Sequence, residues 1–149
     1  MKTVIIYAST HHGNTRRIAE AMADCISADL IDITENQEPI ILEYDVIGFA
    51  SGIYFQAYHK KITEFIQHAT FSDRQKAFLA NTCGMSIFDY NKVPKKLLKA
   101  NGVPCLGSFQ CRGYDTFGIF GKLGGIAKGR PNAADIENAR SFIDKILRH

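Results

Sequence analysis

The residues best suited to chemistry lie in one polar loop, residues 9–15, which reads Ser-Thr-His-His-Gly-Asn-Thr. An apolar run precedes this loop and a segment of helical period follows it, so we predict a turn from a strand into a helix. The first N–H groups of a helix have no intrahelical acceptor and attract anions, and a glycine lets a ligand approach the backbone. The loop therefore predicts a phosphate-binding site.

The pattern of the loop narrows the class of phosphate ligand. It contains no lysine and no GxxxxGK[ST] motif, which argues against a nucleoside triphosphatase. The absence of GxGxxG favours a mononucleotide over a dinucleotide. A plain alternative stays open, in which the hydroxyl groups and the glycine only cap the following helix. Adjacent His11 and His12 rarely bind one metal ion without a third ligand, so we expect them to donate to phosphate or remain solvated, and we predict no metal site.

A second candidate segment, residues 51–56, reads Ser-Gly-Ile-Tyr-Phe-Gln and follows a buried strand near the middle of the chain. Ligands of open α/β sheets bind at the carboxyl ends of such strands. Both aromatic residues could instead belong to the core. We expect Phe55 in the core and Tyr54 at the ligand, because tyrosine usually keeps its hydroxyl in contact with water.

The elements that must position these residues can be predicted from apolar periodicity. Five apolar runs predict buried strands at residues 3–8, 28–33, 45–50, 76–80 and 103–109. Helical patterns lie between them, one beginning near Pro94 and the last following Asn132 as its N-cap. Residues 34–43 cannot be assigned. This alternation predicts a doubly wound α/β fold, with a parallel sheet and helices on both faces.

Length and composition limit the remaining classes of protein. The chain has 149 residues, 46% of them hydrophobic and 22% charged, which predicts one domain over residues 1–149. We find no secretory signal, no apolar stretch long enough for a membrane span and no cysteine motif, so we expect a reducing cytoplasm. The net charge of +3 is too small and dispersed to favour nucleic acid as a partner.

The motif Tyr7-x-Ser9-x-x-x-Gly13-Asn14-Thr15 resembles the phosphate loop of the flavodoxin family, and the order of elements fits that family over nearly the whole chain. The resemblance implies a five-stranded parallel sheet of order 2-1-3-4-5 and FMN as the cofactor. It also implies that the side chains of Ser9, Asn14 and Thr15 bond the phosphate, with backbone amides of residues 11–15 completing the cradle.

The same resemblance assigns the flavin ring to two later segments. Tyr54 is the candidate for stacking on the isoalloxazine, and Gly52 would allow a peptide to approach flavin N5. Residues 82–84 resemble the loop whose amides meet the pyrimidine oxygens, although Cys83 has the alternative of being a reactive thiol. The predicted cofactor-binding residues are Ser9, Thr10, His11, His12, Gly13, Asn14, Thr15, Ser51, Gly52, Ile53, Tyr54, Thr82, Cys83 and Gly84.

Two features differ from the well-known acidic electron carriers of that family. The chain is basic and lacks tryptophan, and lysines 92, 95, 96 and 99 have the spacing of one helix face. Such a face is either simply solvated or a docking surface for an acidic redox partner protein. Residues 111–130 hold six glycines and read as a long loop, which is a cap over the flavin, a partner surface or a structural excursion.

The resemblance implies an FMN-binding protein that carries electrons between a reductase and an acceptor enzyme. One alternative is an FMN-dependent NAD(P)H oxidoreductase acting on a quinone-like or tetrapyrrole substrate, with an open pocket above the ring. Another is a non-redox phosphate-binding or signalling module on the same fold, since a fold does not fix a function. The sequence does not give the oligomeric state.

Overall fold

The computed structural model describes residues 1–10, 12–35, 38–114 and 125–148. The strands of the described part are β1 (Thr3–Ala8), β2 (Asp29–Asp32), β3 (Val46–Tyr54), β4 (Ala57–Tyr58), β5 (Lys76–Cys83) and β6 (Cys105–Arg112). Its helices are α1 (Asn14–Ile26), α2 (Lys60–His68), α3 (Lys92–Ala100) and α4 (Ala133–Arg148).

Five parallel strands form the sheet in the order β2-β1-β3-β5-β6. Counted without the short β4, this is the order 2-1-3-4-5, so the predicted topology is confirmed. The sequence did not predict β4, which pairs antiparallel with β3 through Ile53 opposite Tyr58 and forms a hairpin at the carboxyl end of the sheet.

Apolar side chains cover both faces of the sheet, as alternating strand residues require. One cluster joins α1 and α4 to the sheet, and the other joins α2 and α3 to the opposite face. Fully buried members of the first include Ile5, Ile18, Met22, Phe78 and Ile143; those of the second include Ile6, Phe49, Ile62, Ile66, Leu79 and Leu98. The prediction of helices on both faces is confirmed.

Three strands extend beyond their predicted ends. β3 continues to Tyr54 and β5 to Cys83, and they remain paired as far as Gly52 opposite Thr82. β6 ends at Arg112, so the first two residues of the predicted 111–130 loop belong to a strand. Apolar runs stop at the first polar residues, but backbone pairing continues through them, because the neighbouring strand supplies the hydrogen-bond partners.

The helix boundaries agree with the capping signals to within a turn. Asn132 caps α4, accepting at Oδ1 the Asp135 N–H at 3.0 Å, as predicted. α3 begins two residues before the predicted Pro94, which lies in the first turn, where its missing N–H has no intrahelical acceptor to lose. In residues 34–43, of which 36 and 37 lie outside the described part, no helix or strand is seen.

None of the described helices combines the length and apolar character that crossing a bilayer would require.

A close approach between strands explains why β3 has a glycine at position 48. A Cβ built on Gly48 would lie 2.2 Å from a ring carbon of Phe78. The buried Phe78 ring therefore occupies the space that any larger residue would need at Gly48.

Candidate functional site

The carboxyl ends of β1, β3 and β5 converge on one small cavity. Its lining contains members of all three predicted segments and two residues that follow β6. The lining residues are Asn14, Thr15, Gly52, Ile53, Tyr54, Thr82, Cys83, Gly84, Gly113 and Tyr114. Side chains from distant parts of the sequence meet here because parallel strands end at the same edge of the sheet.

The loop before α1 leaves helix amides available to an anion. Gly13 has a φ of 67° and directly precedes the helix, and its carbonyl accepts the Arg17 N–H at 3.1 Å. Ser9 Oγ accepts the Arg16 N–H at 3.1 Å, so this serine performs the capping role that the plain alternative assigns to it. Within the described part of the chain, the amides of Asn14 and Thr15 remain for a ligand.

The hydroxyls of Thr15 and Thr82 join the loop to the end of β5. Both residues are buried, and their Oγ1 atoms lie 2.8 Å apart in a hydrogen bond. Because 67 residues separate the two threonines, only the tertiary structure brings them together. This contact holds the start of α1 against the strand that carries the third predicted segment.

Tyr54 lies across the site. Its hydroxyl accepts the Thr10 N–H at 3.0 Å, and its ring lies against Gly52, where a built Cβ would be 2.8 Å from the Tyr54 oxygen. The cavity that remains measures about 20 Å³. This is close to the volume of one water molecule, whereas pockets for small ligands measure about 300–1,000 Å³. With Tyr54 in this position the cavity is too small to hold a ring system.

Ser51 supports the hairpin from the other face of the sheet. It is fully buried, and its Oγ donates to the Gly52 carbonyl at 2.6 Å and accepts the His59 N–H at 2.8 Å. His59 in turn caps α2 through Nδ1, which accepts the Lys61 N–H at 3.1 Å. Burial, and next the charge of Lys61, lower the pKa of His59, so the imidazole is neutral at pH 7.

The expectation that Phe55 lies in the core is wrong. Phe55 sits at the tip of the hairpin with a φ of 50°, and 84% of its surface is exposed. The turn between β3 and β4 reverses the chain at this point and directs the aromatic side chain outwards. Periodicity could not reveal this, because the hairpin interrupts the period.

The segment after β6 packs on the phosphate loop. A Cβ built on Gly113 would lie 2.6 Å from Asn14 Nδ2, and that amide donates to the Tyr114 carbonyl at 2.8 Å. The Tyr114 ring stacks on His12 with 4.4 Å between centroids. In the sequence, the glycine and aromatic residues of the 111–130 segment are the features that indicated contacts of this kind. Residues 115–124 of this segment, like His11, lie outside the described part.

A buried polar network, not predicted from the sequence, fastens the two loops that flank the cavity. The Tyr58 hydroxyl donates to Asn91 Oδ1, which also accepts from Asn81 Nδ2 at 2.9 Å. The same Asn81 group donates to Gln110 Oε1 at 3.0 Å, and that oxygen accepts the Tyr90 N–H at 3.1 Å. Burial raises the pKa of Tyr58 well above its usual value, so its hydroxyl stays protonated and keeps donating.

Cys83, which lines the cavity, and Gly84 after it contact the end of β6. Cys83 Sγ donates to the Cys111 carbonyl at 3.5 Å, and burial raises the pKa of the Cys111 thiol to about 12. The Cys111 thiol is therefore protonated and a poor nucleophile. Arg112 Nε donates to the Gly84 carbonyl at 3.0 Å, which fixes the peptide that follows β5.

Comparison with known proteins assigns this architecture to a family. Residues 4–102 match a family model described as a flavodoxin domain. The chain belongs to the flavodoxin family. An uncharacterized protein of Methanocaldococcus jannaschii is 41% identical to this flavodoxin-family chain over 151 residues, which cover 100% of both.

Solved flavodoxins share the fold at much lower sequence identity. An oxidised flavodoxin from Bacillus cereus has a TM-score of 0.71 and 16% identity, with 99% of each chain covered. A flavodoxin from the domain Archaea has a TM-score of 0.65 and 13% identity, with 99% of this chain and 97% of that one covered. The rubredoxin:oxygen oxidoreductase of Desulfovibrio gigas is similar with a TM-score of 0.72 and 14% identity, but this chain spans only 35% of its length.

Membership of the flavodoxin family implies FMN as the cofactor, and the residues of the phosphate loop fit its phosphate. A Cβ built on Gly13 would meet nothing within 4 Å, so the space over the left-handed glycine is open to an anion. The amides of Asn14 and Thr15 begin the helix directly after this glycine, and N–H groups at a helix N-terminus are donors that phosphates bind.

Proposed function

We propose that this flavodoxin-family chain binds FMN at the carboxyl ends of β1, β3 and β5 and carries electrons between a reductase and an acceptor enzyme. The observation that carries the proposal is the convergence of the loop at 9–15 with residues 51–54 and 82–84 on one cavity. When bound, FMN supplies the redox-active ring. The protein's task is to hold it, exclude water from it and expose one edge to partners.

The phosphate is held by the amides of Asn14 and Thr15 and by hydroxyls of the loop at 9–15. Thr10 contributes its N–H after the Tyr54 hydroxyl has left it. The positive end of α1 adds a favourable potential for the phosphate. His12, exposed and stacked on Tyr114, borders this end of the site.

The ring lies between the hairpin at 54–57 and the loop that follows β5. Tyr54 provides an aromatic face for stacking, and Gly52 provides a backbone without a side chain at the point of closest approach. The amides at residues 82–84 face the ring's polar pyrimidine edge. The buried Tyr58–Asn91–Asn81 network keeps the two loops at a fixed separation, which reduces the reorganisation needed on binding.

Exposed apolar side chains surround this edge of the sheet and suit it to a protein partner. They are Phe55, Met85, Ile87, Phe88 and Val93, of which Phe55 is 84% and Ile87 69% exposed. Soluble proteins rarely cluster large apolar side chains on the surface unless these bind something. A partner that covers this patch would bring its own redox centre to the edge of the flavin.

The lysine face next to this patch favours an acidic partner. Lysines 92, 95, 96 and 99 are all exposed and line one groove beside Val103 and Pro104. In the described part of the chain none of these four lysines forms an ion pair. Unpaired lysines accelerate the encounter with an acidic partner, and salt weakens the effect.

Binding of FMN and riboflavin to the purified protein tests the phosphate assignment. Wild-type protein should prefer FMN by at least about tenfold, since hydrogen bonds to a charged group contribute about 1.5–3 kcal/mol each. Gly13→Ala should lose most of this preference, because its Cβ enters the anion's space at a left-handed φ. Gly102→Ala is a matched control, since Gly102 also has open space and a φ of 71° but lies at the end of α3. A colourless protein that takes up no FMN would refute the proposal.

Electron exchange with an acidic iron–sulfur protein tests the docking surface. In each encounter the reduced cluster loses one electron and the bound flavin gains one. Replacing Lys92 and Lys95 by glutamate should slow this transfer strongly at low ionic strength and little at high ionic strength. The same charge reversal at Lys145 on α4 should have a much smaller effect. Equal slowing by both sets of changes would refute a local docking role.

A second cavity next to the hairpin bears on the alternative of an FMN-dependent NAD(P)H oxidoreductase. It measures about 470 Å³ and is lined by residues of the hairpin, α2, the loop after β5 and the start of α3, including Tyr58, Phe88 and Tyr90. This is the size of pockets that bind small organic molecules. Anaerobic mixing with NADH or NADPH distinguishes the two functions: rapid stoichiometric bleaching of the flavin supports the oxidoreductase, and its absence supports the carrier.

A further inference from the structure

Arg112 lies at the end of β6, beside the proposed FMN site. It ends β6 directly opposite Cys83 in the register of the sheet, and its Nε donates to the Gly84 carbonyl at 3.0 Å. The adjacent Gly113 N–H donates to the Cys83 carbonyl at 2.8 Å. Two hydrogen bonds therefore hold this arginine against the strand end that faces the pyrimidine edge of the ring.

The charge of Arg112 is not balanced within the described part of the chain. The ion pairs there involve other residues, and all the described residues that line the cavity are uncharged. The guanidinium is only partly exposed, so solvent screens it less than it screens a surface charge. After its bond to Gly84 it has four further N–H donors.

The two ends of the ring differ in chemistry, and so do the two rims of the site. The exposed apolar side chain of Phe55, at the tip of the hairpin, suits the dimethylbenzene end, whereas Arg112 and the peptide at Gly84 suit the oxygen-bearing pyrimidine end. Two electrons and one proton convert the oxidised ring into the anionic fully reduced form, whose charge resides at the pyrimidine end. A fixed cation there stabilises the reduced form more than the neutral oxidised form.

We propose that Arg112 stabilises anionic reduced FMN and raises the two-electron potential of the bound cofactor. The inference rests on the proposed FMN site and adds the residue that sets its charge. The positive charge of Arg112 would make this site favour the reduced anion of the flavin, whereas a site with negative charge would disfavour it. The consequence is that Arg112 strengthens binding of the reduced cofactor more than binding of the oxidised cofactor.

The test compares binding of oxidised and dithionite-reduced FMN to the apoprotein under anaerobic conditions. Arg112→Gln should weaken binding of reduced FMN about tenfold more than that of oxidised FMN, equivalent to a fall of about 30 mV in the two-electron midpoint. Arg112→Lys, which retains the charge, should recover most of the preference. Arg140→Gln removes an exposed arginine from α4 and should change neither affinity.

The outcomes separate this inference from the proposed function. Arg112→Gln could weaken binding of oxidised and reduced FMN equally, or Arg112→Lys could lose as much affinity as Arg112→Gln. Either result would mean that the arginine only supports the Gly84 peptide. The inference would then be refuted, while the proposed function would stand. A wild-type protein that takes up FMN in neither state would overturn the proposed function and the inference with it. Potentiometric titration of the loaded variants gives the same comparison independently of binding.

Discussion

Replacing Tyr54 by phenylalanine removes one hydroxyl from the site and keeps the aromatic ring. In the structure that hydroxyl accepts the Thr10 N–H at 3.0 Å, and the ring lies against Gly52, so the side chain blocks both the phosphate loop and the ring position. Under the proposed function, FMN displaces this side chain when it binds. Tyr54→Phe should therefore bind FMN more tightly than the wild-type protein and associate with it faster.

The size of the effect follows from the contact that is lost. A neutral hydrogen bond contributes about 0.5–1.5 kcal/mol net, which corresponds to a gain in affinity of about two- to twelvefold. Because Thr10 is exposed, we expect the lower half of this range. The population of the open form limits the apparent affinity, so weakening the closed form raises the fraction of protein that is competent to bind.

Stopped-flow quenching of FMN fluorescence measures both the association rate and the affinity. Tyr54→Ala should bind more weakly than Tyr54→Phe, since it opens the site but removes the stacking face. Tyr44→Phe is the control: it deletes a hydroxyl that donates to Asp29 on the far side of the fold and should leave FMN binding unchanged.

Two results would contradict this reasoning. If Tyr54→Phe binds FMN no faster and no more tightly than the wild-type protein, the hydroxyl does not compete with the phosphate for the Thr10 amide. If Tyr54→Phe binds more weakly because its dissociation is faster, the hydroxyl contacts the bound cofactor instead of blocking it.

Three further substitutions test packing and electrostatics. Gly48→Ala should lower the melting temperature, because its Cβ would collide with the buried Phe78 ring and overpacking costs about 1–3 kcal/mol; an unchanged melting curve would mean that the core yields freely. Tyr58→Phe removes one donor from the buried network and should lower the free energy of unfolding in urea by about 0.5–1.5 kcal/mol, with full stability as the contrary result. The hydrogen bond from Arg130 lowers the pKa of Asp135, so this carboxylate stabilises the fold above the ordinary carboxyl pKa and ceases to do so as the pH falls through the lowered value. Urea unfolding should therefore show Asp135→Asn less stable than wild type at neutral pH, with a difference that shrinks in acid; an equal difference at both pH values would contradict the pairing.

Much of the fold follows from local patterns. The apolar run of β1 and the loop at 9–15 lie where the sequence predicts them, and Asn132 caps α4 as its position indicates. These features are predictable because each depends on residues within one or two turns of each other, and periodicity records such neighbourhoods. The strand order, in contrast, was implied by the family resemblance.

The hairpin was not predictable in the same way. The hydroxyl of Ser51 bonds to the backbone of His59, and the turn between them sends Phe55 outwards. Apolar aromatic residues next to a strand fit a core and an exposed turn equally well, so local pattern cannot choose between them. The pairing of Ile53 with Tyr58 makes the choice.

By itself the sequence predicted a phosphate-binding loop between the first strand and the first helix, and it determined the parallel sheet that carries this loop. Only the tertiary structure decided what surrounds that loop: Thr82 bonded to Thr15, Tyr114 packed on His12, and Arg112 held at the end of β5. These contacts join residues far apart in the chain. The register between β5 and β6 places Arg112 opposite Cys83, and such a register leaves no periodic trace in the sequence.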